Sequence, residues 1–63
     1  MNYRERLLDE LENLTIKIDR LERYIKEQTE SDIVVDLDFE SKQLEAMTVY
    51  RHWLEQRILK LMK

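Results

Sequence analysis

Apolar residues recur along the first part of this 63-residue chain with a helical period. Leu7, Leu11, Leu14, Ile18, Leu21 and Ile25 are spaced 4-3-4-3-4, the a and d positions of successive heptads. The intervening positions are mostly charged or polar, so this is a stripe on one face. The spacing predicts a helix over about residues 3–27, roughly 37 Å long at 1.5 Å per residue. Asn2 stands where an N-cap is wanted. A second stripe follows: Leu44, Met47, Arg51, Leu54, Ile58 and Leu61, spaced 3-4-3-4-3. It predicts a second helix over about residues 39–61. Residues 28–38, QTESDIVVDLD, hold turn and capping types (Ser31, Asp36, Asp38) around the β-branched Ile33, Val34 and Val35. They predict a loop whose valines fold back over the hairpin end, with Asp36 or Asp38 capping the second helix.

Two helices joined by about ten residues most simply form an antiparallel hairpin. Pairing the stripes places Ile25 near Leu44, Leu21 near Met47, Leu14 near Leu54 and Leu11 near Ile58. Arg4 then lies at the open end with Lys63. With no Gly and no Pro, the residues that usually shape tight turns and strand bends are missing, which favours an all-helical fold. The two stripes offer too little apolar area to offset the entropy of ordering the chain. Leu8, Ile16, Val49, Trp53, Leu59 and Met62 also fall off the stripes and would form patches needing a partner. The expected fold is therefore all-α: residues 1–63 form a single antiparallel two-helix hairpin that assembles into a homo-oligomeric helical bundle. A two-fold dimer, or a multiple of it, is its expected unit.

Charge sorts unevenly. The formal net charge is −3, residues 29–40 carry five acids and no base, and residues 41–63 carry five bases against Glu45 and Glu55. An acidic whole argues against long DNA or RNA as a ligand, because phosphate neutralisation supplies most of that affinity. It leaves room for one small phosphorylated ligand held by a few arginines. Cysteine is absent, consistent with a reducing cytoplasm, and no stretch approaches a membrane span or a secretory signal. Asp32, Asp36, Asp38 and Glu40 lack the turn glycine and ligand register of a calcium loop, so neither a metal nor a cofactor is expected. His52 has no acid or nucleophile at a suggestive spacing. The expectation is a cytoplasmic binding protein, not an enzyme.

Two features remain to be explained. Arg51 interrupts an apolar stripe, where a charge is costly unless it is paired or reaches water. Either its stem packs while the guanidinium escapes to water or meets Asp19 or Glu55, or it points into a pocket between hairpins and holds a phosphate with its planar fork. Beside the stripes run two rows at seven-residue steps: Gln43, Tyr50 and Arg57 on the second helix, and Tyr3, Lys17 and Tyr24 on the first. These rows suit ordinary interface packing, in which Tyr and Arg are enriched. The alternative is nucleotide binding, with bases stacked on tyrosines, phosphates on arginines and Gln43 reading a base edge, but the residues by themselves favour packing.

A longer layout carries a resemblance. Tyr3 and Arg6 stand near the start, followed by Lys17-Ile18 and Tyr24-Ile25 in the first helix. Then comes Gln43-Leu44-x-Ala46-Met47-x-x-Tyr50-x-x-x-Leu54-x-x-Arg57-Ile58. This resembles a group of small phage-encoded helical-hairpin proteins first noted in crAss-like phages, some of which act as anti-CBASS sponges. The resemblance implies that the chain binds a cyclic oligonucleotide second messenger, such as 3′3′-cyclic GMP–AMP, without cleaving it. It further implies host cytoplasm as the place of action. Gln43, Met47, Tyr50 and Arg57 match the group's motif. Other hairpin sponges take Thoeris signals, so the resemblance leaves the ligand's identity open.

Overall fold

A computed structural model describes residues 2–31 and 33–62. Two helices account for most of them: α1, Tyr3–Thr29, and α2, Asp38–Leu61. They pack against each other as one elongated unit, 49 Å by 17 Å by 14 Å. The described residues contain no strand.

Local chemistry explains the helix ends. Asn2, in extended conformation, accepts a hydrogen bond from the Glu5 backbone N–H at 2.8 Å, satisfying one of the unpaired donors of the first turn. At the other end α1 runs to Thr29, past the expected stop near residue 27. The Thr29 hydroxyl donates back to the Ile25 carbonyl at 2.7 Å, and the N–H groups of Glu30 and Ser31 bond to Lys26 and Gln28. α2 starts one residue early, at Asp38, with Leu37 in the N-cap position and no side-chain cap of its own. Asp36 nevertheless supplies a carboxylate: its Oδ1 accepts from the Asp38 N–H at 3.0 Å. Asp38 and Glu40 in the first turn complement the positive end of the helix dipole. Lys42 pairs with Asp38 at 3.1 Å, one turn along.

The core is a short stretch of the seam. Ile18 and Leu54 are fully buried, Leu7, Leu14 and Ile58 nearly so, and Leu11, Leu44 and Met47 pack around them. Ile25 and Leu44 line one surface depression together, and Leu21 and Met47 another, in keeping with the expected pairing. Two expectations fail. Leu61, the last residue of the second stripe, is 45% exposed, because the heptads of α1 continue there as Arg4 instead of an apolar residue. The loop valines do not fold back either. Val34 is 99% exposed and Ile33 is also exposed, since two helices offer no third layer for them to cover. Lys63 and Asp32, considered in the sequence reading, lie outside the described residues. The off-stripe Leu8, Ile16, Val49, Trp53, Leu59 and Met62 are all exposed, as expected.

Candidate functional site

The two polar rows meet along one edge of the hairpin. At the open end Arg57 Nη2 donates to the Tyr3 hydroxyl at 2.6 Å, with the guanidinium carbon 5.9 Å from the tyrosine ring centre. One heptad further along each helix, the Tyr50 hydroxyl donates to Glu10 Oε1. These contacts run in opposite directions along the two chain segments, as an antiparallel pair requires. Beyond them the edge opens into two shallow depressions that share Lys17. One, of about 530 Å³, is lined by residues that include Arg6, Asp9, Glu10, Asn13, Lys17 and Tyr50. The other, of about 350 Å³, is lined by Lys17, Arg20, Leu21, Tyr24, Gln43 and Met47. Gln43, Met47, Tyr50, Arg57, Tyr3, Lys17 and Tyr24 therefore share one edge.

Arg51 does not join them. Its side chain is 30% exposed, and its Nε lies 3.7 Å from the Glu55 carboxylate one turn further on. Glu55 is at an e position, on the side of the seam away from the Gln43–Tyr50–Arg57 row. Of the two readings of this residue, the ion pair is the one the hairpin displays. His52 stacks edge-on against Trp53 with ring centres 4.9 Å apart, both exposed. Among the described residues, no group of three or more His, Cys, Asp or Glu side chains is placed to hold a metal ion. Nor is any helix among them long and apolar enough to cross a membrane.

Glu10, Asn13 and Arg20 of this edge go unremarked in the sequence pattern, and Arg6 enters it only through the resemblance. Glu10 is the skipped member of the row Tyr3–Lys17–Tyr24; filling every seventh position would have found it. Arg6, Asn13 and Arg20 form the next row outward, also at seven-residue steps. The result is an edge where Arg6, Lys17, Arg20 and Arg57 accompany Glu10, with Asp9 beside it in the lining of the larger depression. On the other side of the seam the e and b positions hold Glu5, Glu12, Asp19 and Glu22 of α1 and Glu45 and Glu55 of α2, against Lys26. A modest net charge thus conceals a basic edge and an acidic one.

Both cross-helix contacts affect proton affinity. The hydrogen bond to Glu10, with smaller contributions from desolvation and the carboxylate's charge, raises the Tyr50 pKa above its ordinary 10.0. The Tyr3 hydroxyl, accepting from Arg57, holds that guanidinium still more firmly protonated than usual. Folding therefore binds the Tyr50 proton more tightly than the unfolded chain does. The contact stabilises below the ordinary tyrosine range and is lost as pH rises through the raised value. An ultraviolet titration should accordingly show a tyrosine phase above the ordinary range, and Tyr50→Phe should remove it. A titration unchanged by Tyr50→Phe at its high-pH end would mean that the Tyr50–Glu10 bond does not form.

Comparison with known proteins decides the family. The Sequestin family model matches residues 1–60, nearly the whole chain and all of the edge just described. The chain belongs to the Sequestin family. No curated protein and no solved structure matches it. The Sequestin match spans both helices, so it takes in the first-helix row as well as the motif from Gln43 to Ile58.

Proposed function

We propose that this hairpin captures a cyclic oligonucleotide immune second messenger and holds it uncleaved, so that a phage carrying it blunts a CBASS response in the host cytoplasm. The observation that carries this reading is the alignment of Tyr3, Lys17, Tyr24, Gln43, Tyr50 and Arg57 along one edge. The name of the Sequestin family, which speaks of sequestering, supports it. Tyrosine rings offer stacking platforms for bases, and Arg and Lys side chains take phosphates. Each depression alone is open and shallow. A two-fold dimer closing edge to edge presents every one of these residues twice, which suits a ligand with two bases, two phosphates and approximate two-fold symmetry. Signals such as 3′3′-cyclic GMP–AMP have that form. Sequestration at cellular messenger levels calls for affinity near nanomolar, within reach of paired stacking and paired arginine–phosphate contacts in a closed site.

A second reading rests on a different observation. Trp53 is 60% exposed, and Val49, Leu59 and Met62 are also exposed on α2. An interaction protein that binds a host protein through this surface, with no nucleotide, would use these residues instead. One experiment separates the readings, and a third in which the chain degrades the messenger. Purified protein is titrated with cyclic di- and trinucleotides and ADP-ribose derivatives by calorimetry, then heat-denatured and the released ligand analysed. Binding with intact recovery is the expected result. Cleaved ligand would indicate an enzyme, and no heat with any nucleotide would favour the protein-binding reading.

A further inference from the structure

Glu10 stands among the bases of this edge, one of two carboxylates, with Asp9, that line the larger depression. It lies one heptad before Lys17, lines the larger depression with it, and is tied to Tyr50 through Oε1. An ionised carboxylate only accepts hydrogen bonds, and it has lone-pair sites on two oxygens. The Tyr50 hydroxyl engages one of these oxygens. A ligand made only of phosphates and acceptor edges would be repelled at this point, while Lys17 and Arg6 beside it attract the phosphates.

We infer that Glu10 makes this edge selective for a ligand presenting a pair of N–H or O–H donors next to a phosphate. This inference rests on the sequestration reading and refines it. Two ligand groups carry such a pair. The Watson–Crick edge of guanine has N1–H beside the N2 amine, and a ribose with a free 2′,3′-diol has two adjacent hydroxyls. Adenine presents an acceptor, N1, where guanine presents a donor, so it sets a lone pair against the carboxylate. Enclosed in a site that excludes water, that mismatch leaves the charged group without a partner, which costs far more than losing an ordinary contact. Glu10 also fixes the Tyr50 ring by accepting a hydrogen bond from its hydroxyl, so the stacking platform and the base-reading carboxylate lie side by side.

The test compares affinity ratios. Wild type and Glu10→Gln are titrated with cyclic di-GMP, cyclic di-AMP, ADP-ribose and the ADP-ribose analogue lacking the 2′-hydroxyl. Wild type should prefer the donor-bearing member of one pair by about tenfold or more. A guanine source shows as preference within the cyclic dinucleotides, and a diol source as preference within the ADP-ribose pair. Glu10→Gln should narrow that preference to about threefold or less while keeping affinity for the donor-poor member. Glu10→Asp, which keeps the carboxylate and withdraws it by one methylene, should retain the direction of the preference. If Glu10→Gln weakens every ligand equally, the residue only positions Tyr50 and the inference is overturned. An unchanged ratio, or a wild type that does not discriminate, overturns it too and leaves sequestration standing. If wild type binds none of the four and none of the wider nucleotide panel, sequestration itself fails and the inference with it.

Discussion

Leu54→Ala is expected to abolish the cooperative thermal transition of the hairpin or lower its midpoint by about 10 °C or more. Leu54 is fully buried opposite α1 in a core of only a few side chains. Removing a buried leucine to alanine typically costs about 2–5 kcal/mol, from lost transfer energy and the cavity left behind. A domain this small holds little stability in reserve. The control is Leu61→Ala, in the same stripe but at the exposed end of α2, which should shift the midpoint far less. Melting followed by far-ultraviolet circular dichroism checks both. Equal effects at the two positions would mean that the packing described above is wrong.

Arg57→Ala should remove messenger binding, a loss of about a hundredfold or more, while leaving helicity and assembly size nearly unchanged. Arg57 is exposed, and the hydrogen bond it makes is to Tyr3 at the open end, so little of the fold depends on it. For a phosphate it offers a rigid fork that lysine cannot reproduce, and Arg57→Lys should therefore restore only part of the affinity. Tyr50→Ala in the same series should weaken binding by about ten- to a hundredfold through the lost stacking surface. Calorimetry with the best ligand of the panel, together with light scattering for mass, gives the answer. If either alanine variant loses assembly along with binding, that residue is a structural contact between chains and the site assignment falls.

Much of this hairpin is legible in its sequence, and what is not has physical causes. The first helix was legible because its heptads are unbroken and Asn2 marks its start. The edge rows were legible because seven-residue spacing survives any small error in register. Leu61 misled because a stripe records where apolar residues point, without recording whether the facing helix still offers an apolar partner. The valines of the loop misled for a related reason: β-branched residues suggest burial, but a pair of helices has nothing above it to bury them. Arg51 could not be decided from spacing, since Glu55 one turn away and a pocket between chains satisfy a guanidinium equally well. Glu10 is hard to single out because, between Asp9 and Glu12, it looks like ordinary solvation of a charged helix face.

The sorting of acids and bases to opposite sides of the seam makes the molecule a dipole across its short axis. At distances beyond a Debye length, about 8 Å at physiological ionic strength, an approaching dianion meets a particle of its own sign that salt largely hides. Closer in, it sees whichever flank it meets, and only one of them draws it on. On the proposed function, capture would therefore depend on the angle of approach, with the attractive flank turned toward the visitor before any atom is in contact.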